Sequence, residues 1–416
     1  VDLEVMRALA SDDGRTAIDA AVAALAAGAD ELSVVNRLRR ALDAPVAAAV
    51  LTQAQLRPRA AAKLGGRAGD LLLLPDSLEQ ASRPEVSAVR AQRLLDAGVT
   101  RVVDAGAGLG ADSIAYAEAG LQVTAVERDP LVAEVLRHNA EPFGVHVIEG
   151  DAIGLLHSGE IGRAEGTAVY VDPARRSNGR RLFDPEECTP PLSVLVELAD
   201  AGVPIVAKMS PSLGVDDVPA GWDADWVSTQ TEHGRSVVEA SIWSPLLAKG
   251  SRRAVVLLRS AAGDTWDCSD LSSEPATGTP SEPVAGTPSG PVASYVYEPD
   301  GAVNQAEVVD ELAAILDGWL IEPRIAYLTS DLAVDTPFAH RYRVVDQLPW
   351  SKRALARRLA SIDASDLVIK KRGVTVDPTA LRRQLLPRLR SRTGAPLVVI
   401  LSPHAGRVVA LLAHAA

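Results

Sequence analysis

The run Val102-Val103-Asp104-Ala105-Gly106-Ala107-Gly108-Leu109-Gly110 constrains this chain more than any other stretch of its length. Two valines read as the end of a buried strand, three alternate glycines follow, and Ala111 to Glu118 reads as a helix. Glycine has no Cβ, so it takes positive φ cheaply and lets backbone amides approach a ligand closely. The helix adds the positive end of its dipole at the same place. Such a turn predicts a nucleotide-like cofactor at the carboxyl edge of a parallel sheet. The plainer alternative is a tight structural turn in an α/β domain.

The spacing separates two cofactor classes. A nicotinamide dinucleotide fingerprint is G-x-G-x-x-G with an acid about 20 residues on. Here the pattern is G-x-G-x-G, and Asp104 stands two positions before the first glycine. That arrangement resembles motif I of class I methyltransferases. The resemblance implies S-adenosylmethionine as cofactor, held by Asp104, Gly106, Gly108 and Gly110, with Asp104 toward the methionine ammonium. Glu127, 21 residues beyond Gly106, closes the next strand beside Arg128. An acid there can accept hydrogen bonds from both ribose hydroxyls, in either cofactor class. Asp151 and Ala152 follow the third strand; the resembled family places at this point an acid that receives the adenine amino group, whereas an isolated Asp after a strand is usually a helix N-cap.

Around this motif the pattern alternates. Strands are predicted at 101–104, 122–126, 145–149, 168–172 and 205–208, with helical stretches between the earlier ones, then at 227–231, 237–242 and 254–258 with little helix between. This predicts a parallel sheet carrying an antiparallel edge. At 416 residues the chain is too long for one core, and 47% apolar residues supply several. Residues 1–95 show helical spacing (Ile18, Val22, Leu25; Leu32, Val35, Leu38, Leu42) and predict an N-terminal helical domain, 96–260 the α/β domain, 261–294 a flexible Pro/Ser/Thr/Gly linker with a near-repeated octamer, and 295–416 a second α/β domain. In that last domain Ala306 to Leu316 and Leu381 to Leu389 read as helices, and 341–345, 367–370 and 398–401 as strands. No apolar run reaches the roughly 18 residues of a membrane span, and no signal core is seen, so a soluble cytoplasmic protein is expected.

Asp172-Pro173-Ala174-Arg175-Arg176 follows the fourth strand. In the methyltransferase fold this position borders the departing methyl group, which makes Asp172, Pro173 and Arg175 the candidate catalytic residues, Asp172 orienting the acceptor or taking its proton and bordering the cofactor as well. Relatives acting on exocyclic amines often carry an aromatic after Asp-Pro-Pro; Ala174-Arg175 departs from that pattern. Arg176, Arg180 and Arg181 extend a basic loop suited to phosphates, or form a solvated turn. Glu79 and Gln80 are candidates to close the pocket. Cys188 and Cys268 are the only cysteines; neither follows a strand end, and Cys188 reads as a small buried residue, so a covalent cysteine adduct is not expected. Cysteine and histidine spacing suggests no metal site.

The whole chain from about Leu78 onward resembles a bacterial family of class I methyltransferases with a C-terminal THUMP-like domain. The resemblance rests on Glu79-Gln80-Ala81-Ser82, Asp172-Pro-Ala-Arg-Arg176, Tyr297-Glu298-Pro299-Asp300-Gly301, Ala326-Tyr327-Leu328-Thr329-Ser330-Asp331 and Ile369-Lys370-Lys371-Arg372-Gly373. It implies a Rossmann-like fold with a seven-stranded sheet, mostly parallel, and RNA (tRNA or rRNA) as acceptor. Charge points the same way. The chain carries −12 overall, yet residues 341–392 hold 14 Lys/Arg against 4 Asp/Glu, a local +10. Lys370, Lys371 and Arg372 are the candidate RNA contacts there, with a solvated face as the alternative. Two other readings stay open: a small-molecule or protein methyltransferase, and an inactive RNA-binding protein of this fold. Oligomeric state is not legible.

Overall fold

The computed structural model describes residues 2–174, 184–232, 234–248, 250–263, 265–273, 286–389 and 394–416, with backbone alone at 176–177 and 180–181. The chain divides into two compact units. The first is Val1–Ser210 with Pro219–Asp223 and Ser241–Lys249; the second is Pro211–Val218, Ala224–Ala240 and Gly250–Ala416.

The first unit opens with helices α1 (Leu3–Ala10), α2 (Asp12–Ala26), α3 (Glu31–Leu38), α4 (Ala44–Leu64), α5 (Pro75–Gln80) and α6 (Pro84–Asp96). Short polar side chains start the first three: Asp2, Ser11 and Asp30 accept from the amides of Val5, Gly14 and Ser33 at 3.0, 3.1 and 2.9 Å. Each such cap stabilises its helix by about 1 kcal/mol. Strand and helix then alternate: β1 (Arg101–Ala105), α7 (Ala111–Glu118), β2 (Gln122–Glu127), α8 (Pro130–Ala140), β3 (His146–Glu149), α9 (Ala152–Ser158) and β4 (Thr167–Val171). A two-stranded ribbon, β5 (Arg176–Ser177) and β6 (Arg180–Arg181), precedes α10 (Leu192–Asp200) and β7 (Ile205–Met209). Residues 1–95 fall within this first compact unit. Met6, Leu9, Ile18 and Val50 belong to the same buried cluster as Ile114, Tyr116, Leu121 and Val135, so the helices and the sheet share one core.

The chain continues through β8 (Asp223–Thr231), β9 (Gly234–Trp243), β10 (Arg252–Arg259) and β11 (Trp266–Ser272). Strand order in the first unit is β9-β7-β4-β1-β2-β3, β9 contributing its last residues, and in the second β11-β10-β8-β9, so nine strands stand where seven were expected. β1 lies between β2 and β4, parallel to both, and Asp104 pairs with Ala125 on one side and Tyr170 on the other. Chain order reverses there, and the crevice at the carboxyl ends of such strands is where ligands sit in open α/β sheets. β11 pairs antiparallel with β10 and occupies the start of the expected 261–294 linker; the octamer region 274–285 lies outside the described residues.

The second unit also holds a seven-stranded sheet. Its elements are β12 (Tyr295–Pro299), α11 (Gly301–Gln305), α12 (Val309–Leu316), β13 (Trp319–Glu322), β14 (Ile325–Ser330), β15 (Ala339–Pro349), α13 (Lys352–Leu359), β16 (Leu367–Lys371), α14 (Pro378–Leu385), β17 (Leu397–His404) and β18 (Arg407–Ala415), in the order β13-β14-β12-β15-β18-β17-β16. Period-two alternation sorts its side chains. Leu397, Val399 and Leu401 face a core with α13 and α14, while Val398 and Ile400 join Val296, Tyr327 and Leu411 on the other side. The helix expected over Ala306 to Leu316 begins only at Val309, because Glu307 takes a left-handed φ of 52° between α11 and α12. Among the described residues no helix is long and apolar enough to cross a membrane.

Candidate active site

A cavity of about 570 Å³ opens at the carboxyl ends of β1, β2 and β4. Asp104, Gly106, Gly108, Glu127, Arg128, Asp151, Ala152 and Asp172 line it, so the structure brings together eight residues that the sequence had singled out. Gly106 and Gly108 have φ of 90° and 56°, and a Cβ added to either would meet no protein atom. The glycine loop is therefore a cradle whose missing side chains leave room for a ligand. Glu127 is turned onto it: Oε2 accepts from the Gly108 amide at 3.2 Å and Oε1 from the Asp129 amide at 2.9 Å. Asp151 also caps α9, accepting from the Ile153 amide at 3.2 Å. Its N-cap role and its place in the cavity wall coexist.

Two other expected residues lie elsewhere. Gly110 does not line the cavity; it starts α7 at φ 84°, and a Cβ there would come within 2.7 Å of Leu136 Cδ1 on α8. The positive φ, and the crowding by Leu136 and Ala140 of α8, both favour glycine there. Pro173 is buried behind the wall. Arg175 falls outside the described residues, as do the side chains of Arg176, Arg180 and Arg181.

Asp104 is 1% exposed, and its carboxylate accepts from the Ser113 hydroxyl. Burial, reinforced by the neighbouring Asp112, pushes its pKa up to about 7. Asp112 itself is held below the usual carboxylate range. Burial would raise it, but the Arg90 guanidinium and the Lys208 ammonium outweigh that. Asp112 accepts from Ser87 Oγ at 2.6 Å, Arg90 Nη1 at 2.7 Å and Tyr170 Oη at 3.2 Å. Arg90 also donates to Tyr116 Oη at 2.8 Å and lies 4.5 Å above the Tyr170 ring. Burial holds both phenols well above their ordinary pKa, so they remain hydroxyl donors.

Behind the cavity residues Asp172 and Gln80, Lys208 at the end of β7 donates to Asp172 Oδ2 at 2.8 Å and to the Gln80 carbonyl at 2.7 Å. Lys63 of α4 donates to the carbonyls of Leu78 and Glu79 at 2.9 and 2.6 Å. Two ammonium groups thus hold the last carbonyls of α5, where helix dipole and unpaired acceptors favour cations. Burial, with Lys208 and Arg83 nearby, lowers the Lys63 pKa to about 8. Gln80 lines the cavity; Glu79 does not, and lies 3.5 Å from Arg59. Arg90, Asp112, Tyr116, Tyr170, Lys63 and Lys208 escaped the sequence reading. Asp112 had one signal, a carboxylate in the first turn after the glycines. A buried lysine or arginine has none.

Cys188 is buried, its thiol 3.6 Å from the Asp184 carbonyl, and does not line the cavity. Among the described residues no group of three or more His, Cys, Asp or Glu is placed to hold a metal ion. In the second unit, Lys370 pairs with Glu298 at 2.6 Å, and Arg372 donates to Asn304 Oδ1 and the Ala326 carbonyl. Of the three cations expected to meet RNA there, Lys371 is the exposed one.

Comparisons with known proteins agree with this geometry. Residues 78–141 match a family model described as "Putative SAM-dependent methyltransferase", 339–415 match "THUMP domain-like", and 2–60 match a domain of unknown function. Proteins from two Mycobacterium tuberculosis strains, CDC 1551 and H37Rv, each an "Uncharacterized S-adenosylmethionine-dependent methyltransferase", are 32% identical over 359 residues, covering 83% of this chain and 90% of theirs. A crystal structure of a "putative methyltransferase" from Porphyromonas gingivalis W83 superposes with a TM-score of 0.71 at 25% identity, over 90% of this chain and 92% of that one. Cradle, strand order and relatives converge: the chain belongs to a bacterial family of S-adenosylmethionine-dependent methyltransferases that carry a C-terminal THUMP-like domain.

Proposed function

We propose that this methyltransferase acts in the cytoplasm on RNA, tRNA or rRNA, by direct transfer and without a covalent cysteine adduct. The observation that carries this reading is the position of the basic segment: residues 341–392, with 14 Lys/Arg against 4 Asp/Glu, fall inside the THUMP domain-like match. THUMP domains occur in RNA-modifying enzymes, and a basic module suits a phosphodiester backbone.

The cavity fits the cofactor. Bound S-adenosylmethionine supplies an electrophilic methyl group. In our reading Asp104 faces its ammonium, Glu127 its ribose hydroxyls and Asp151 its adenine amino group, with Arg128 and Ala152 flanking them along the wall. Asp172 orients the acceptor or takes its proton, and Lys208 fixes the carboxylate that does so. No described residue of the cavity wall is a cysteine, which supports direct transfer.

Asp104 makes cofactor binding pH-dependent. Its folded pKa lies above the unfolded value, so its contribution to stability is fully present at low pH and is lost as pH rises through about 7. Binding a cationic group beside it requires the ionised form. Cofactor affinity therefore falls as pH drops below about 7, approaching tenfold per unit. Calorimetry from roughly pH 5.5 to 8.5 checks this; a flat profile in the native protein rules out Asp104 as the ammonium's partner.

The acceptor is tested by incubating total RNA from a deletion strain with enzyme and labelled cofactor, followed by nucleoside mass spectrometry. One methylated nucleoside gaining label is the expected result. Label confined to protein or small molecules overturns the RNA reading.

A further inference from the structure

Two groups of cations stand out in the THUMP-like module. Arg341, Arg358, Lys370 and Arg382 pair with Asp335, Asp346, Glu298 and Asp366 at 2.9, 2.5, 2.6 and 2.6 Å. The second group lies on two helices. Lys352, Arg353 and Arg357 of α13, Arg383 of α14 and Arg388 in the single 3-10 turn after it (Leu386–Arg388) are all exposed. No carboxylate among the described residues forms an ion pair with these five. Sequence explains why: neither α13, nor α14, nor the turn contains an Asp or Glu.

Both helices are amphipathic, and their apolar sides meet in one place. Leu355 and Leu359 of α13 share a buried cluster with Leu381, Leu385 and Leu389, over Leu367, Val399 and Leu401 of the sheet. The 3-10 turn packs beside α13. Burying those leucines on a common core leaves the polar sides of the two helices outward as neighbours. A surface charged this way with one sign carries electrostatic repulsion that a polyanion relieves.

We infer that the outward face of α13 and α14, with Lys352, Arg353, Arg357, Arg383 and Arg388, is where this protein grips the phosphodiester backbone of its RNA. The inference rests on the RNA reading above and moves the contact away from Lys370 and Arg372, whose side chains are engaged within the unit. Contacts of this kind set affinity and salt dependence and are indifferent to base sequence.

The test uses the full chain, mixed tRNA as probe, and the triple charge swap Arg353→Glu/Arg357→Glu/Arg383→Glu, with Arg407→Glu, at an exposed cation of β18, as a control in the same unit. Each neutralised phosphate contributes about −0.7 to −0.9 to the slope of log K against log salt. The native protein is expected to show a slope of about −3.5 to −4.5. The swap should weaken tRNA binding about 100-fold at low salt and flatten the slope by about 2 to 3 units. Arg407→Glu should shift affinity by less than about threefold, and cofactor affinity should hold in both. Should the swap lower the melting temperature, the Gln triple at the same positions is read instead, with about tenfold loss and the same flattening. Native affinity and slope in the swapped chain overturn this face while leaving RNA methylation standing. Absence of both tRNA binding and RNA label in the native chain overturns the RNA reading itself. Binding to phosphatidylserine vesicles but not tRNA, lost in the swap, overturns RNA as occupant.

Discussion

On the proposed RNA reading, Asp172→Ala is expected to lower methyl transfer by about 10²- to 10⁴-fold, the range over which one positioned acid–base group contributes. The side chain is 22% exposed toward the cavity, and Lys208 holds one of its oxygens at 2.8 Å. The other oxygen is left to meet an acceptor. Asp104 and Glu127 line the cavity independently of it, so cofactor affinity changes less than about tenfold, a shift smaller than one good charged hydrogen bond. Lys208→Met then reproduces much of the activity loss without touching the carboxylate, because it frees both Asp172 and the Gln80 carbonyl. Single-turnover transfer of labelled methyl, with calorimetry of cofactor binding alongside, separates these effects. Near-native turnover in Asp172→Ala would remove this residue from the chemistry.

The largest stability effect is expected from Arg90→Met. The guanidinium is 2% exposed and serves Asp112, the Tyr116 hydroxyl and the face of Tyr170 at once. A methionine of similar length fills the space but leaves Asp112 buried and without the cation hydrogen-bonded to it. Breaking a buried pair from one side costs about 3–5 kcal/mol. For a unit of this size that lowers the melting temperature by roughly 6–20 °C. Adding Asp112→Asn removes the stranded charge and recovers part of the loss, which a double-mutant cycle reads as coupling. A loss under about 1 kcal/mol in Arg90→Met would falsify the account of this network.

Sequence periodicity carried the strands that matter most. The ends of β1, β2 and β4 fall within a residue or two of expectation, because buried parallel strands read as Val- and Ile-rich runs bounded by polar turns. β11 was hidden. Trp266–Ser272 lies at the sheet edge with only partial burial, so its polar composition resembles that of a linker. That the helices before residue 95 share a core with the sheet was hidden for a related reason: helical spacing shows that a face is apolar, not which core receives it. At the site, the glycine loop and the acids at strand ends were legible because chain position alone places them. Gly110 fitted the motif, yet its neighbours on α8 explain it. Lys370 and Arg372 show the limit of counting charge, since a cation is available to a ligand only when Glu298 or Asn304 has not taken it.

Lys63 and Lys208 come from opposite ends of the first unit's sequence and ground the same turn of α5. For anyone recombining relatives, this sets the size of the inheritable cassette. A chimera joined near residue 95 would pair one parent's Lys63 and α5 with the other's Lys208 and Asp172, and each crossover would have to match two lysine lengths against one helical turn. Domain shuffling that respects the helices and sheet as a single block keeps that match.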